Sequence, residues 1–446
     1  MKILLAVLNA GLAGHTRSSL AVAQALRDRG HDITYLIGAQ ANAKLIEAAG
    51  FANERIVDDW LHSYRPVLRL LPDILRRQQI DLVHSFSDEG LTELVTVCKS
   101  LRVPCFLTQC GGPGPKQMLP LETIILFSEE VKDRLLREHD LAPENLHVLP
   151  ARIDVARIDA LRAGLDSSLY PLFMAKYGLD PRARIVLQVA RLDPEYRTSI
   201  LQGIDAVANL RRRGLRVQFV HIGYSDRQHA AWVYEDVRRR IAEVNEEFGC
   251  TVAATAQDEG AAALQYVGMA DAVIGVGRSA FEGMAFRKPA LVIGANGYAG
   301  MVTPRHVAAL AYYNFSGRNV AVEKPYDRSV EEIAVDLNHV LTDQACYEEL
   351  SGFGRRYVED VLDVLIAVQA YEKLYREHAV QQYPEDRQLR QFAKSLWKLL
   401  FHRVTSHNLR SAVRQRLQRA RKAFRRLATG SIIPGQRVAA GSVERS

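Results

Sequence analysis

The sequence predicts an α/β protein in which two doubly wound halves face each other across a cleft. Two series of short apolar strands alternate with amphipathic helices, and a linker-like segment without this rhythm, around Arg152–Met174, separates them. Glycine-containing turns follow strands in both halves, and ligands bind at the carboxyl ends of strands in such sheets. At 446 residues, the chain is long enough for about two to three domains.

The first half opens as a strand, a turn and a helix that leads to a second strand. Lys2–Leu8 suits a buried strand, Gly11 and Gly14 lie in the turn, and the amphipathic helix Ser18–Arg29 precedes the strand Asp32–Ile37. The turn lacks the GxGxxG spacing of a dinucleotide fingerprint, so turn chemistry alone also explains its glycines. The pattern then predicts helices at Ala41–Ala49, Pro66–Gln78 and Glu129–Glu138 and strands at Ile80–Ser85, Val103–Thr108, Thr123–Phe127 and Leu146–Leu149.

Two polar side chains come where predicted strands end. His84 closes one strand, and Gln109 follows another. Because ligands gather at such strand ends, both residues are candidates to face the cleft. A lone histidine is also commonly a structural residue, and this alternative stays open for His84.

The second half repeats the alternation. The pattern predicts strands at Ile185–Val189, Val217–Ile222 and Thr251–Thr255 and helices at Ser199–Arg212, Trp232–Glu247, Ala261–Met269, Val330–Thr342, Ala345–Phe353 and Arg356–Arg376. The two halves together predict two doubly wound domains.

The segment Ala270–Gly300 carries the clearest binding signal. A buried strand is followed by the glycine turn Gly275–Ser279, a helix, and a second strand after Pro289. Glycines let the backbone approach a ligand closely, and the start of a helix directs N–H groups and the positive end of its dipole toward that ligand. An anion, phosphate above all, is therefore the expected ligand. Arg278 adds a charged fork at the same place.

Glu282 in this helix allows two interpretations. Ser279 and Glu282 have the spacing of a capping box, in which the carboxylate bonds back to the backbone of Ser279. Alternatively, the carboxylate accepts hydrogen bonds from two neighbouring sugar hydroxyls, such as those of a ribose. The glycine-rich segment Ala295–Thr303 follows the last strand of this unit, and Asn314–Asn319 reads as a structural polar turn.

Composition indicates large cores and a basic end. Hydrophobic residues make up 48% and charged residues 24% of the chain, and no apolar run reaches the length of a membrane span. The net charge of +7 comes from the stretch 387–426, which holds thirteen Lys or Arg residues and no Asp or Glu. The five cysteines show no metal-ligand spacing, and their odd number suits a reducing, cytoplasmic compartment.

The segment after Pro384 predicts a basic amphipathic helix. Apolar residues recur at three- and four-residue spacing from Leu409 to Leu427, and arginines occupy the other faces. Such a helix suits an anionic membrane surface, contacted through residues 387–427, or packing on the protein's own body or a partner. It carries no recognised nucleic-acid motif, so no nucleic-acid partner is expected. Residues 428–446 have a disordered composition.

Six segments, in order, resemble retaining glycosyltransferases of the GT-B fold, in particular glycosyltransferase family 4 (group 1). The opening MKILLAVLNAGLAGHTRSSL, IDLVHSFS, LPARID and VLQVARLDPEY resemble the family's first strand and glycine loop, "DIVHAHS", "PNGID" and "VGRLxPEKG". VQFVHIGYSD and MADAVIGVGRSAFEGMAFRKPALV resemble "LVIVGDG" and the family's donor-site strand and helix. The similarity spans residues 1 to about 376.

The resemblance implies transfer of a sugar from a nucleotide-sugar donor to an acceptor hydroxyl with retention, in surface glycan or glycolipid synthesis. It implies that Arg191 and Glu282 are the catalytic residues, with Arg191 facing the diphosphate and Glu282 holding the ribose. The donor is a substrate, so no cofactor and no metal are expected. The other implied donor contacts are Gly14, Arg197, Gly223, Gly277, Arg278 and Ser279, and the candidates for the acceptor or sugar side are His15, His84 and Gln109.

The pattern and the resemblance also predict the division of the chain. The expected parts are an N-terminal Rossmann-like, acceptor-side domain at 1–170, a C-terminal Rossmann-like, nucleotide-sugar-binding domain at 171–355, a closing helix at 356–383 that is a candidate to return to the N-terminal domain, the basic extension at 384–427 and the tail at 428–446. The protein is expected in the cytoplasm, peripheral on the inner face of the membrane, with a glycan, a lipid-linked molecule or a small molecule as acceptor.

Three positions depart from the family pattern. The first Glu of its Glu-x7-Glu motif falls at Ile274, and its usual Lys falls at Tyr196, where Arg197 or Arg278 can substitute. Its sugar-contacting His falls near Gln109 and Cys110. These departures leave two alternatives: a non-catalytic, nucleotide-sugar-binding or scaffolding relative, and a nucleotide-sugar epimerase on the same fold.

Overall fold

Two β-sheets, one in each lobe, form the frame of the protein. The stretch Met1–Tyr383 is one compact unit that contains both sheets. The predicted glycine Gly11 and the predicted basic helix and tail lie outside the described residues. The computed structural model describes residues 1–8, 14–38, 40–56, 65–111, 121, 123–139, 141–223, 231–249, 251–254, 262–320 and 324–379.

The N-terminal lobe is a parallel sheet with helices on both faces. Its strands are β1 (Lys2–Val7), β2 (Asp32–Ile37), β3 (Ala52–Arg55), β4 (Leu82–Ser85), β5 (Cys105–Gln109), β6 (Ile124–Leu126) and β7 (Leu146–Val148). Its helices are α1 (Gly14–Asp28), α2 (Gln40–Ala48), α3 (Arg65–Gln78), α4 (Leu91–Leu101) and α5 (Glu129–Glu138). The strand order is β3-β2-β1-β4-β5-β6-β7.

The central strand β1 shows why the sequence opens with an uninterrupted apolar run. Ile3, Leu5 and Val7 pack into the core on one face of the sheet, and Leu4 and Ala6 pack into the core on the other. A strand covered by helices on both faces has no solvent-facing side, so its sequence does not alternate. Full burial of each large aliphatic side chain contributes about 1.5–3 kcal/mol.

The C-terminal lobe repeats this architecture. Its helices are α6 (Val155–Ala163), α7 (Leu169–Tyr177), α8 (Pro194–Arg212), α9 (Ala231–Phe248), α10 (Ala263–Tyr266), α11 (Arg278–Ala285), α12 (Val307–Tyr312), α13 (Tyr326–Thr342) and α14 (Gln344–Tyr357). Its strands are β8 (Arg184–Val189), β9 (Val217–Ile222), β10 (Thr251–Ala254), β11 (Ala272–Gly275), β12 (Ala290–Gly294) and β13 (Gly297–Met301). The strand order is β10-β9-β8-β11-β12-β13, with β13 antiparallel to β12.

Two segments differ from the sequence prediction. The glycine-rich segment Ala295–Thr303, for which no strand is predicted, contains the edge strand β13, whose backbone pairs with β12. The predicted linker Arg152–Met174 contains α6 and most of α7, which bury few side chains, such as Ile158 and Phe173. The residues of β13 include three glycines or alanines, and α6 and α7 bury few side chains, so local periodicity and β-propensity give little signal in both segments.

The chain passes between the lobes twice, and the two crossings are hydrogen-bonded to each other. The N–H groups of Arg152 and Ile153 each donate to the carbonyl oxygen of Leu362 at 2.9 Å, and the Val364 N–H donates to the carbonyl oxygen of Ile153 at 2.8 Å. Ile153 and Val155 already pack in the C-terminal core. The change of lobe therefore precedes the predicted boundary at residue 170.

Helix α15 (Val364–Ala379) packs on the N-terminal lobe and closes its core. Ala367, Val368, Tyr371 and Tyr375 are buried among residues of β1, β2 and α1. The end of the described chain is thereby fastened to the lobe in which the chain begins.

Candidate functional site

The candidate site lies where segments that follow strands of the two lobes meet. Burial, and then the charge of Arg191 after β8, lower the pKa of His15 at the start of α1, while Asp88 after β4 opposes this shift. Arg278, which begins α11 after β11, donates a hydrogen bond of 3.0 Å to the carbonyl oxygen of Arg152 after β7. Groups from the carboxyl ends of both sheets therefore converge, which is where open α/β sheets bind ligands.

Arg278 and Glu282 form a partly buried ion pair at the start of α11. Arg278 Nε donates to Glu282 Oε1 at 2.7 Å, and Glu282 is 7% exposed. The capping-box interpretation of Glu282 is wrong, because Gly277 precedes the helix and no described side chain caps it. Ser279 Oγ instead accepts a hydrogen bond of 3.1 Å from the Val276 N–H. The ion pair holds the Glu282 carboxylate at the helix start.

Arg191 is held at the start of α8 by two carboxylates. Its Nη1 lies 3.0 Å from Asp193 Oδ2, and its Nη2 lies 2.6 Å from Glu195 Oε1. Asp193 is buried, whereas Arg191 and Glu195 are partly exposed. An exposed ion pair of this kind is weak, so a phosphate can replace Glu195 at little cost.

Arg197 and Tyr196 do not extend the positive charge of this site. Arg197 Nε donates to Asp236 Oδ2 at 2.6 Å, and its guanidinium carbon lies 5.8 Å from the centre of the Trp232 ring. Tyr196 packs against the core of the C-terminal lobe. The two substitutes for the lysine that the resemblance places at Tyr196 are each paired with a carboxylate, Arg197 with Asp236 and Arg278 with Glu282.

Ile274, where the resemblance places the first Glu of its pair, is wholly buried in β11. Its side chain belongs to the core that packs against α8 and α13. The chain therefore offers no carboxylate at that position, and Glu282 stands without its counterpart there.

His84 lies in the core of the N-terminal lobe. Its Nδ1 lies 2.6 Å from Tyr375 Oη, and its Nε2 lies 2.7 Å from Thr108 Oγ1. The side chain is 0% exposed, and burial lowers its pKa to about 3. The structure favours the structural alternative for His84, which joins β4 to β5 and α15.

His15 and Gln109 each present a buried polar atom without a hydrogen-bond partner among the described residues. These atoms are His15 Nε2 and Gln109 Oε1, while Gln109 Nε2 donates to the Gly111 carbonyl oxygen at 3.3 Å. Buried polar atoms usually have a partner, so both atoms are available to a ligand. Gly14 begins α1, and a Cβ added there meets no atom within 4 Å.

At two further predicted positions, the backbone geometry explains why the residue is a glycine. A Cβ at Gly223 lies 1.8 Å from the carbonyl oxygen of Ala190, so the ends of β8 and β9 approach too closely for a side chain. Gly277 has a φ of +48°, and its N–H donates to the Phe315 carbonyl oxygen at 2.8 Å. Gly223 therefore shapes the backbone next to the segment that carries Arg191, and Gly277 shapes the backbone directly before Arg278.

Arg152 and Asn314 are the residues that sequence reasoning missed. Arg152 Nη2 donates to Asn314 Oδ1 at 2.6 Å, and Arg152 is 3% exposed. A signal exists for Arg152, because it occupies the glycine position of the "PNGID" motif. Asn314 has a φ of 55° within the turn that the sequence predicts as structural, and its long-range partner leaves no local signal.

The described chain also contains a cavity that none of the predicted site residues lines. A cavity of about 360 Å³ lies between β13 and α13, and it is lined by residues that include Tyr298, His306 and Lys324. Within the described ranges, no group of three or more His, Cys, Asp or Glu side chains is placed to hold a metal ion. Among the helices that the structure describes, none has the length and hydropathy that crossing a bilayer requires.

Solved structures with this architecture span almost the whole described chain. A glycosyltransferase from Rickettsia africae shares 15% identity over 85% of this chain and 99% of its own, with a TM-score of 0.65. HepE of Anabaena, in complex with UDP and glucose, shares 16% identity over 84% of this chain and 100% of its own, with a TM-score of 0.63. The chain has the GT-B fold.

The same fold also carries a different activity. UDP-GlcNAc 2-epimerase from Neisseria meningitidis, bound to UDP-GlcNAc, shares 12% identity over 84% of this chain and 100% of its own, with a TM-score of 0.55. Neither a protein-family model nor a curated sequence matches this chain. The prediction of two Rossmann-like lobes in a GT-B arrangement is confirmed.

Proposed function

We propose that this protein is a glycosyltransferase that moves a sugar from a nucleotide-sugar donor to an acceptor hydroxyl. The observation that carries the proposal is that Arg278, paired with Glu282 at the start of α11, donates a hydrogen bond to Arg152 where the chain passes between the lobes, while Arg191 before α8 acts electrostatically on His15 of the other lobe. The GT-B fold, shared with a glycosyltransferase and with HepE in complex with UDP and glucose, supports it. We also propose a retaining, family 4-like reaction in surface glycan or glycolipid synthesis.

The donor contacts follow from chemistry at the two helix starts. Arg191 and Arg278 receive the diphosphate, and Glu282 accepts hydrogen bonds from the ribose hydroxyls. Gly277, Ser279 and the dipole of α11 favour the same anion. Gly14 and Gly223 permit close backbone approach, and His15 and Gln109 face the sugar or the acceptor.

The proposed chemistry is electrostatic. Departure of a nucleoside diphosphate from the anomeric carbon builds negative charge, and fixed guanidinium groups stabilise that charge without reorganising. The reaction needs no metal in this proposal, so a chelator such as EDTA leaves the rate unchanged.

A binding panel tests the proposal. UDP-, GDP- and ADP-sugars are screened by thermal shift, and the binders are measured by isothermal titration with the wild type, Arg191→Gln and Glu282→Gln. Each substitution removes a charge-assisted contact, so we expect affinity to fall about tenfold or more. Arg212→Gln is the control, because Arg212 pairs with Glu247 on the surface at 2.8 Å. Binding of none of these nucleotide sugars by the wild type contradicts the proposal.

Two alternatives keep the donor site but change the outcome. The epimerase is favoured by the fold of the Neisseria enzyme, and the non-catalytic relative is favoured by Ile274 and Tyr196 at positions where the resemblance expects Glu and Lys. Incubation with donor alone distinguishes the first, because an epimerase converts the sugar without an acceptor. Binding without transfer across a panel of glycan and lipid acceptors indicates the second.

We further propose that the protein works on the cytoplasmic face of a membrane through the basic stretch 387–427. The support is the sequence pattern of apolar and basic faces, which suits anionic lipid. Truncation after Val380 is expected to release the protein from phosphatidylserine-containing vesicles in a flotation assay. Equal flotation of the truncated and full chains contradicts the membrane role.

A further inference from the structure

Arg152 occupies the crossing between the lobes and contacts both of them. Its guanidinium carbon lies 4.1 Å from the centre of the Phe127 ring in the N-terminal lobe and 4.9 Å from that of Phe281 in the C-terminal lobe. Nη1 donates to the Pro150 carbonyl oxygen at 2.6 Å, and Nη2 donates to Asn314 Oδ1 at 2.6 Å. The side chain is thus buried and held in one orientation.

The charge of Arg152 is not balanced by the described residues around it. Both of its hydrogen bonds go to uncharged oxygens, and no described carboxylate forms an ion pair with it. Burial, and then the neighbouring charge of Arg278, lower its pKa to about 9. Burial lowers the pKa of Arg278, its partner Glu282 and the nearby Asp154 raise it, and the charge of Arg17 lowers it. Buried charges are normally paired, so an anionic ligand would supply the partner that Arg152 lacks among the described residues.

Arg152 lies close to the start of α11. Arg152 Nη2 lies 4.0 Å from the Cβ position of Gly277, the residue before α11. The positive end of the α11 dipole and the guanidinium therefore lie beside the same space. A guanidinium carries five N–H donors, and the hydrogen bonds to described residues engage two of its nitrogens, so further N–H groups remain for an oxyanion.

We propose that Arg152, together with Arg278, binds an anionic group of the donor at the crossing between the lobes. This inference rests on the proposed function. The group is an oxyanion, supplied either by the diphosphate or by a carboxylate on the transferred sugar. In either case, Arg152 adds its positive charge to that of the neighbouring Arg278.

Titration with a graded ligand series tests the role of Arg152. The wild type, Arg152→Gln, Arg152→Lys and the control Arg240→Gln are titrated with uridine, UMP, UDP, UDP-glucose and UDP-glucuronate, and the matching guanosine and adenosine ligands are run in parallel. Arg240 pairs with Asp205 at 2.6 Å on the outer helices of the C-terminal lobe, so its loss removes an equal charge elsewhere. Thermal melting verifies that each variant is folded, and Arg152→Lys keeps the charge if Arg152→Gln does not fold.

The two sources of the anion give different patterns. If the diphosphate binds Arg152, Arg152→Gln weakens UDP about tenfold or more and leaves uridine unchanged, and Arg152→Lys has a smaller effect. If a sugar carboxylate binds, UDP is unchanged and the variant loses a preference for UDP-glucuronate over UDP-glucose. Equal loss for uridine and UDP, or no loss for any ligand, overturns the inference. Failure of the wild type to bind any of these nucleotides contradicts the proposed function instead.

Discussion

The side chains of the candidate site differ in how firmly other protein groups already hold them. Glu282 is anchored by Arg278, and Arg191 is held by an exposed carboxylate that a phosphate can replace. His15 Nε2 and Gln109 Oε1 have no described partner. The site thus combines fixed charges, which need no reorganisation, with polar atoms that a substrate can satisfy.

Gly14 offers a test of donor approach that is separate from stability. A Cβ at Gly14 meets nothing within 4 Å, so Gly14→Ala is expected to keep the melting temperature and to weaken donor binding about tenfold by occupying ligand space. Gly223→Ala is the contrast, because its Cβ would lie 1.8 Å from the Ala190 carbonyl oxygen. We expect that variant to lose about 2 kcal/mol or more of unfolding free energy. Unchanged donor affinity in Gly14→Ala counts against a donor contact at this position.

His84 makes the stability of the N-terminal lobe depend on pH. Burial lowers its pKa in the folded protein to about 3 from an ordinary value of 6.5, so the unfolded chain binds the proton more readily between these values. This pKa difference contributes fully to the free energy of unfolding above pH 6.5, and the contribution is lost as the pH falls toward 3. When the pH falls from 7 to 5, we expect the titration of His84 to lower the free energy of unfolding by an amount on the order of 2 kcal/mol.

Urea unfolding at pH 7 and pH 5 measures this effect. His84→Asn has no imidazole to protonate, so its stability should fall less across this interval than that of the wild type, by about the same 2 kcal/mol. Comparison within each protein cancels the cost of losing the hydrogen bonds to Tyr375 and Thr108. Parallel pH dependence in the two proteins contradicts the assignment.

At the scale of elements, α15 links the end of the described chain to α1 and β2. Glu372 on this helix accepts hydrogen bonds from Arg29 Nη2 at 2.7 Å and lies 3.0 Å from His31 Nε2. The Glu372 side chain is only 6% exposed. A buried carboxylate with such partners is a stronger link than a surface ion pair.

Glu372→Gln is expected to loosen α15. Removal of the charge should lower the free energy of unfolding by about 1–3 kcal/mol. It should also speed amide hydrogen exchange along α15 more than along α8. Glu377→Gln is the matched control on the same helix, because Glu377 is 51% exposed and lies 3.8 Å from Lys373. Equal effects of the two substitutions contradict a special role for Glu372.

At the scale of the whole molecule, the lobes are also joined by side chains away from the backbone crossings. Tyr312 of α12 donates to Asp133 Oδ2 at 2.5 Å, and Arg318 Nη2 lies 2.6 Å from Glu130 Oε2. Both acidic residues lie on α5 of the N-terminal lobe. Polar, partly exposed links are weak enough to open, which suits lobes that admit and release a substrate.

The combined variant Glu130→Gln, Asp133→Asn tests these links. We expect a larger radius of gyration in small-angle X-ray scattering without ligand, because the lobes lose two contacts of about 1 kcal/mol each. The melting temperatures of the lobes should stay nearly unchanged. An unchanged scattering profile indicates that the backbone crossings alone hold the lobes.

The candidate site was predictable in part, and particular residues show why. Arg278 and Glu282 follow a buried strand and a glycine turn within one short segment, so their joint position is a local property of the chain. The direction of Arg197 toward Asp236, 39 residues further along the chain, depends on how α8 packs against α9. The partner of Arg152 lies 162 residues away, and local spacing carries no information about such a contact.

For the fold, the sequence by itself determined the two series of strands and helices, because buried strands such as β1 and β11 require apolar runs and turns require glycine. Only the tertiary structure decided that β13 is a strand, that α15 packs on the N-terminal lobe, and that His84 belongs to the core. The placement of α15 and of His84 depends on burial between residues far apart in the chain, and β13 depends on backbone pairing with β12, to which its glycines give no side-chain signal. The sequence pattern indicates which residues are buried, but it does not indicate which buried residues contact each other.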